Sequence, residues 1–252
     1  MVKVVMHGCN GRMGTIISDL CEKDNDICIV AGVDKFGESK FSYPVFAALD
    51  ACNVEADVMI DFSNASAIPE LLQYCVDKQM PCVLCTTGLS AELMEDVQKA
   101  SEQVAILKSA NMSLGINLLL KLVKEAAQVL AGAGFDIEIV EKHHNQKLDA
   151  PSGTAIALAD SINEEFDGAY EYVYDRSQKR AKRDSKELGI SAVRGGSIVG
   201  EHDVIFAGAD EVITFSHTAY SRAVFGKGAI EAAKFLVGKA PGMYNMSHVI
   251  NG

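Results

Sequence analysis

The sequence is poor in positive charge. It has 23 lysines and arginines against 34 aspartates and glutamates, so the 252 residues carry a formal net charge of −11. An acidic surface repels phosphate backbones and anionic lipid headgroups. The composition therefore argues against a nucleic acid or a membrane surface as the main partner.

Long apolar runs are also missing. No uncharged apolar stretch reaches the 18 or so residues that a membrane-spanning helix needs. The first apolar run meets Gly8 too early for the core of a signal peptide. With 48% hydrophobic and 23% charged residues, the chain has the composition of a globular protein of one or two domains.

Cysteine is absent beyond Cys85. The seven cysteines form an odd set in the N-terminal part of a chain without a secretory signal, which favours reduced thiols and a cytoplasmic location over a disulfide framework. Cys82 and Cys85 make a single C-x-x-C inside a strand-like run, and no second Cys/His pair follows. We therefore expect core cysteines and no bound metal.

The first half of the chain alternates between strand-like and helix-like patterns. Short β-branched runs predict strands at 2–7, 27–33, 58–62, 82–86 and 104–107. Apolar residues at helical spacing predict helices at 11–23, around 71–75 and at 91–101. Strands that alternate with helices are typical of βαβ units, which build a parallel sheet with helices on both faces.

The pattern changes after residue 111. A long amphipathic helix is predicted at 114–130, a half-buried strand at 135–140, and a helix whose first turn holds Pro151. Strands follow at 191–193, 203–206 and 211–216, and a last helix at about 221–237. The predicted fold class is α/β, with a Rossmann-like dinucleotide-binding domain and a second α+β domain built on an open mixed sheet.

A glycine-rich turn joins the first strand to the first helix. Gly8, Gly11 and Gly14 are spaced G-x-x-G-x-x-G, with Asn10 where a middle glycine is usual. Asparagine is among the residues that tolerate positive φ best, so it is a reasonable replacement for a glycine here. Glycines let backbone amides approach a pyrophosphate, and the helix N-terminus attracts its negative charge. An ordinary tight turn is the alternative for such a loop taken alone.

Asp34 supports the nucleotide interpretation. It ends the second predicted strand about 20 residues after the loop, where a carboxylate accepts hydrogen bonds from the adenosine ribose. Its charge favours NAD, but Lys35 and Arg12 could pair with a 2′-phosphate. We therefore hypothesise that both NADH and NADPH are used.

A second cluster lies between Glu141 and Ala155. It holds His143, His144 and Lys147 just before the Ser152-Gly153-Thr154 start of a helix. Histidine exchanges protons near neutral pH, and amides at a helix start bind carboxylates. The cluster predicts a site for a small anionic substrate that must be protonated. The alternative is a helix cap, a surface lysine and a core histidine.

Five blocks of this sequence together resemble the dihydrodipicolinate reductase family, now called 4-hydroxy-tetrahydrodipicolinate reductases. They are GCNGRMG at 8–14, CTTGL at 85–89, SANMSLG at 109–115, HHNQKLDAPSGTA at 143–155 and VRGGSIVGEH at 193–202. The resemblance implies NAD(P)H-dependent reduction of 4-hydroxy-tetrahydrodipicolinate to tetrahydrodipicolinate with loss of water, in the diaminopimelate route to lysine.

The resemblance also implies roles for individual residues. His143 and Lys147 match the catalytic proton donors or acceptors, and His144, Gly153 and Thr154 match the contacts of a small dicarboxylate substrate. The implied dinucleotide-binding residues are Gly8, Cys9, Asn10, Gly11, Arg12, Met13, Asp34, Lys35, Cys85, Thr86, Thr87, Ala110, Asn111, Met112 and Ser113. Cys85 stands where many relatives have glycine, and we expect it to contribute its backbone.

The same resemblance implies a domain plan and an assembly. Residues 1–111 and 222–252 would form the dinucleotide-binding domain, and residues 112–221 the substrate-binding and tetramerisation domain of a homotetramer. A basic run at 175–186 is expected to be a solvated loop or helix face; a sharper hypothesis is a mobile segment whose Arg180 and Arg183 attract the dicarboxylate.

Two other functions would each need a feature that this sequence lacks. A semialdehyde dehydrogenase would need a cysteine nucleophile in the second half, and no cysteine lies there. A nonenzymatic NAD(H)-sensing regulator would need a DNA-binding or partner-binding module, against which the acidic charge and the missing extra domain argue.

Overall fold

The chain forms two compact units in the computed structural model, which describes residues 1–36, 41–177 and 179–252. The first unit comprises Met1–Leu114 and Arg222–Gly252, and the second comprises Gly115–Ser221. The first unit is therefore made of two separate stretches of chain.

The first unit is built on a seven-stranded sheet in which every pairing is parallel. Its strands are β1 (Val2–His7), β2 (Ile27–Val33), β3 (Val45–Phe46), β4 (Val58–Asp61), β5 (Cys82–Leu84), β6 (Ala105–Leu107) and β12 (Gly242–Tyr244). They lie in the order β12-β6-β5-β4-β1-β2-β3. The last strand comes from the C-terminal stretch and pairs with β6.

Helices cover both faces of this sheet. They are α1 (Arg12–Cys21), α2 (Ile68–Lys78), α3 (Ala91–Ser101), α6 (Ala223–Leu236) and α7 (Met246–Asn251). Met6 of β1 packs in one apolar cluster with α1 and α6, whereas its neighbour Val5 packs in another with α2 and α3. This arrangement confirms the predicted Rossmann-like half.

The second unit has a five-stranded mixed sheet in the order β11-β10-β7-β9-β8. Its strands are β7 (Asp136–His143), β8 (Glu171–Val173), β9 (Glu187–Arg194), β10 (Gly200–Ala207) and β11 (Val212–Ala219). One face is covered by α4 (Leu114–Leu130) and α5 (Gly153–Asn163), which pack on Ile137 and Phe206. The alternating burial along β7 agrees with a strand that has one apolar face. The predicted open mixed sheet is confirmed.

Two local predictions are wrong. Helix α5 begins at Gly153 with Ser152 as its N-cap, so Pro151 precedes the helix and is not in its first turn. The Ser152 side chain accepts a hydrogen bond from the Ala155 amide, and this bond sets the start. The strands β3, β8 and β12, of two or three residues each, and the six-residue helix α7 were missed, because such short elements show no clear period.

All seven cysteines are free thiols, and six of them are buried. Within the described residues, no helix is both long and apolar enough to cross a membrane.

Candidate active site

The turn after β1 brings backbone amides to the start of α1. Gly8 has φ +78°, and a Cβ there would lie 2.6 Å from the Phe62 carbonyl oxygen. A Cβ on Gly14 would collide with the carbonyl oxygens of Gly8 and Cys9. Side chains are therefore excluded at both positions, as a phosphate-binding loop requires.

Asp34 organises this loop from the end of β2. Its carboxylate accepts hydrogen bonds from the amides of Asn10 and Phe36, each at 3.0 Å. Asn10 does not use its tolerance of positive φ, since it is not among the residues with positive φ. Its side-chain amide instead donates to the Phe36 carbonyl at 2.6 Å, so Asn10 ties the glycine turn to the segment after β2.

These residues border a cleft of about 350 Å³ at the carboxyl ends of β1, β2 and β4. Ligands bind at this edge of parallel α/β sheets. The lining consists of His7, Gly8, Asn10, Gly11, Val33, Asp34, Lys35, Phe36, Phe62, Ser63, Asn64 and Ala67. Five predicted cofactor residues are among them: Gly8, Asn10, Gly11, Asp34 and Lys35. Sequence reasoning missed His7 and Phe62, although both end or follow apolar strands.

The other predicted cofactor residues lie in different environments. Cys9 is fully buried, and burial raises the pKa of its thiol to about 11. Burial also raises the pKa of the Cys85 thiol well above its ordinary value, so both side chains are neutral core groups. Their possible contribution to a ligand is through the backbone.

Exposure varies along the rest of this set. Arg12, Thr87 and Ala110 are exposed, Met13 and Asn111 are half-buried, and Thr86, Met112 and Ser113 are buried. The Asn111 side chain accepts from the Ser113 amide at 2.8 Å, and Met112 belongs to the core cluster with α6.

The second unit holds a buried histidine–carboxylate pair at the end of β7. Glu141 is fully buried, and its Oε2 lies 2.6 Å from Nδ1 of His143. Arg194 at the end of β9 donates to both oxygens of Glu141, at 2.7 and 2.8 Å. The Ser152 amide donates to Oε1 at 2.9 Å. One carboxylate thus connects His143, β9 and the residue that caps α5.

These contacts set the charges. Burial raises the pKa of Glu141, but hydrogen bonds from Arg194, His143 and Ser152 outweigh it, and the pKa lies below its ordinary value. Burial lowers the pKa of His143, although Glu141 opposes that change. The network therefore presents an ionised carboxylate and an imidazole that is easily deprotonated.

A second histidine packs against the first. The rings of His143 and His202 meet edge to face with centroids 5.2 Å apart. Nε2 of His202 lies 3.1 Å from the Ser152 hydroxyl. Burial, followed by the nearby His143, lowers the pKa of His202 to about 4. His202 is therefore a neutral support for the N-terminus of α5.

The remaining predicted substrate residues surround this network. Lys147 pairs with Asp149 at 2.8 Å, and its side chain is 22% exposed. His144 is half-buried, and Thr154 lies in the first turn of α5. A Cβ on Gly153 would meet no atom within 4 Å, so the space in front of this helix start is open. The described residues contain no group of three or more histidine, cysteine or acidic side chains that could hold a metal ion.

Sequence reasoning did not assign roles to Glu141 and Arg194. Glu141 stands two residues before His143, on the same face of a strand, and this spacing was the available signal. Arg194 is 53 residues from Glu141 in sequence, so only the pairing of β7 with β9 brings them together.

In the basic run at 175–186, Arg183 is neither solvated nor free to attract a substrate, contrary to what the sequence had suggested. Arg183 donates to Glu138 at 3.0 Å, Asp136 at 2.8 Å and the Ile137 carbonyl at 2.9 Å. Arg176 and Lys179 pair with Glu187. Arg183 is thus a structural tether of the sheet and is not available to attract a substrate. Arg180 is exposed, and Gln178 lies outside the described residues.

A Rossmann-like sheet with a glycine turn and a strand-end aspartate, together with a histidine–lysine cluster on a second unit, defines the class of two-unit NAD(P)-dependent oxidoreductases. Two family descriptions match the chain: "Dihydrodipicolinate reductase, N-terminus" over residues 2–112, and "Dihydrodipicolinate reductase, C-terminus" over residues 115–250. The chain belongs to the dihydrodipicolinate reductase family.

Relatives agree with this assignment. The chain is 54% identical to the 4-hydroxy-tetrahydrodipicolinate reductase of Caldanaerobacter subterraneus subsp. tengcongensis, over 99% of this chain and 98% of that protein. It is 52% identical to the protein of the same name from Clostridium tetani, over 100% of this chain and 98% of that protein. The fold resembles that of dipicolinate-bound dihydrodipicolinate reductase from Paenisporosarcina sp. TG-14, with TM-score 0.80, 23% identity and 97% of each chain covered.

Proposed function

We propose that this protein reduces 4-hydroxy-2,3,4,5-tetrahydrodipicolinate to tetrahydrodipicolinate, with loss of water and oxidation of NADH or NADPH, in the diaminopimelate route to lysine. The observation that carries the proposal is the Glu141–His143–Arg194 network beside Lys147 and an open helix N-terminus. Relatives of this name, which share about half of its residues over nearly their whole length, support it.

We assign the dinucleotide to the first unit. The residues fit such a group, because a Cβ on Gly8 or Gly14 would fill the loop that should approach the pyrophosphate. When bound, the dinucleotide supplies a hydride from its nicotinamide ring. Asp34 keeps lone pairs for ribose hydroxyls beyond the two amides it already accepts from. Lys35 borders the same cleft, and the exposed Arg12 follows Gly11 of the loop. Either cation could pair with a 2′-phosphate.

We assign the substrate to the second unit. Its two carboxylates suit the amides at the start of α5 and the side chains of His144 and Thr154. Loss of the hydroxyl leaves a conjugated, electron-poor ring. This ring accepts a hydride at the carbon that carried the hydroxyl. The enamine-like product then needs a proton, which Lys147 or His143 can deliver. The cation of Lys147 also stabilises negative charge that develops on the ring.

Glu141 has a positioning role in this proposal. Because its carboxylate accepts from Nδ1 of His143, it holds the imidazole with Nε2 free for proton exchange. Arg194 balances the charge of Glu141 in the protein interior. The Ser152 amide on the same carboxylate keeps His143 in register with the carboxylate-binding helix start.

The domain plan and the assembly also remain proposals. We propose that residues 112–221 bind the substrate and form the contacts of a homotetramer, with residues 1–111 and 222–252 as the dinucleotide domain. The second sheet has helices on one face, so its other face is available for subunit contacts. Free thiols suit a reducing cytoplasm. Light scattering of the purified protein measures the assembly.

One assay tests the proposed reaction. 4-Hydroxy-tetrahydrodipicolinate is generated enzymatically, and oxidation of NADH and of NADPH is followed by absorbance. We expect turnover with both cofactors, and comparison of the two KM values gives the preference. Absence of oxidation with either cofactor would contradict the proposed function, whereas turnover with one alone would contradict dual use.

A further inference from the structure

His7 is a buried residue of the dinucleotide cleft that the proposed function has not used. It is the last residue of β1 and precedes Gly8 of the glycine turn. His7 lines the cleft together with Gly8, Gly11 and Asp34, yet the residue is only 8% exposed. A polar ring is therefore held at the floor of a ligand site.

Asp61 fixes one edge of that ring. This carboxylate, at the end of β4, is fully buried and lies 2.8 Å from Nδ1 of His7. It also accepts from the Thr86 hydroxyl at 2.6 Å and from the Ser63 amide at 3.2 Å. Both are donors, so Asp61 acts as an acceptor throughout, and Nδ1 of His7 carries a hydrogen. This bond fixes the orientation of the ring, and in the neutral ring with its hydrogen on Nδ1 the other nitrogen, Nε2, is a hydrogen-bond acceptor.

The other edge faces the cleft. Within the described part of the chain, Nε2 of His7 has no hydrogen-bond partner. This atom is not completely enclosed by the protein. Buried imidazole nitrogens are normally partnered by protein or by ordered water. The cleft also contains the loop amides that suit phosphate and the carboxylate that suits ribose, so a bound dinucleotide would bring ribose hydroxyls into the cleft that His7 lines.

We infer that His7 is a further cofactor-binding residue, which accepts a hydrogen bond at Nε2 from a ribose hydroxyl in the adenosine half of the dinucleotide. The inference rests on the proposed function for the identity of the cofactor. The competing explanation is that His7 only anchors Asp61 and has no ligand contact.

Two variants separate these roles by stereochemistry. The amide of asparagine is as many bonds from Cα as Nδ1, so His7→Asn keeps a donor to Asp61 and removes the nitrogen that faces the cleft. The amide of glutamine matches Nε2, so His7→Gln keeps a group that faces the cleft and removes the bond to Asp61. Calorimetric titration with NADH gives the affinity, and thermal unfolding gives the stability of each variant.

We expect His7→Asn to weaken NADH binding about 10-fold, the factor that corresponds to about 1.4 kcal/mol, with its melting temperature close to wild type. We expect His7→Gln to bind NADH within about 3-fold of wild type, on the scale of that same factor, and to melt earlier. Unchanged affinity in His7→Asn would overturn the inference, as would a loss of affinity confined to His7→Gln.

Fragments locate the oxygen. Because the expected partner is a ribose hydroxyl, the penalty of His7→Asn should be present with both ADP-ribose and adenosine. A penalty that is absent with both fragments, or present with ADP-ribose alone, would contradict the inference. Wild-type turnover tests the proposed function separately, because an enzyme that binds NADH but does not reduce the substrate would refute the reaction and leave the His7 contact standing.

Discussion

Each unit contains a buried histidine bound to a fully buried carboxylate, and the two pairs differ in what surrounds the carboxylate. In the first unit, Asp61 lies 2.8 Å from His7 and accepts otherwise from neutral donors, the Thr86 hydroxyl and the Ser63 amide. In the second unit, Glu141 lies 2.6 Å from His143 and accepts hydrogen bonds from both terminal nitrogens of the Arg194 guanidinium.

The permanent cation decides how each pair can be used. Arg194 compensates the charge of Glu141 whatever the protonation state of His143. The imidazole of His143 can therefore gain and lose a proton, and the buried carboxylate keeps a counter-charge in both states. Burial lowers the pKa of His143 and thereby favours its neutral form. Asp61 instead ties together the ends of β1, β4 and β5, which suits holding a ligand. One of the four perturbations below compares the two pairs directly, and the other three test the surroundings of the second pair.

Lys147→Ala should have the largest effect. Loss of the cation and proton donor beside His143 should lower kcat by roughly 10²- to 10⁴-fold, the usual contribution of a positioned acid, while NADH affinity is retained. Steady-state kinetics and NADH titration measure the two quantities. Lys99→Ala is a control, because Lys99 is an exposed lysine of helix α3 in the first unit that pairs with Asp96 on the same helix. Near-normal kcat in Lys147→Ala would remove this residue from the mechanism.

Glu141→Gln against Asp61→Asn compares the two carboxylates directly. Removing the charge of Glu141 leaves Arg194 without its buried partner, which costs about 3–5 kcal/mol of unfolding free energy. Asp61→Asn replaces an acceptor of neutral donors and should cost about 1–3 kcal/mol. Urea unfolding of both variants checks the order. Equal losses would show that Arg194 does not distinguish the pairs.

His202 should make the stability dependent on pH. Its pKa is about 4 in the folded chain and 6.5 ordinarily, so the unfolded chain binds more protons between these values. Stability is therefore lost as pH falls from 6.5 towards 4, by roughly 2–3 kcal/mol from this group at pH 4.5. His202→Gln should reduce that loss, as measured by urea unfolding at pH 7.5 and 4.5. His248→Gln, at an exposed position, should retain the wild-type pH dependence.

Arg183→Ala should have the smallest of the four effects. It removes hydrogen bonds to Glu138, Asp136 and the Ile137 carbonyl, which costs about 2 kcal/mol for a largely buried guanidinium. Arg180→Ala should leave the melting temperature unchanged. If the exposed Arg180 attracts the dicarboxylate, its removal raises the substrate KM more at low salt than at high salt. A KM that does not change at any salt concentration would dismiss that role.

The long, strongly periodic elements could be predicted from sequence. Helices α3 and α4 begin and end where the spacing of apolar residues places them, and β2 has its predicted bounds. The alternation of Ile137 and Ile139 with acidic residues predicts a strand with one buried face. These elements are long enough for a period to show. The two-residue strand β3 is not, and it forms because Gly32 and Val33 of β2 pair with it.

The residue types at the two sites could also be predicted from the sequence, but the hydrogen-bond and ion-pair partners of those residues could not. Asn10 stands where a glycine is usual, but the sequence did not show that its amide bonds to Asp34 and its side chain to the Phe36 carbonyl. Arg183 belongs to a basic run, and its charge alone predicted solvent or substrate. The fold turns it towards Asp136 and Glu138, which lie more than 40 residues away in sequence.

By itself, the sequence determined the two halves, the glycine turn before α1, and the cluster from His143 to Thr154, because period, glycine spacing and residue chemistry are local properties. The tertiary structure alone decided which carboxylate orients which histidine. His7 meets Asp61 across 54 residues, and Glu141 meets Arg194 across 53, each through pairing of neighbouring strands. Whether a buried charge is balanced by a guanidinium or only by neutral donors depends on that pairing, since the energy of a buried charge is set by the groups that surround it.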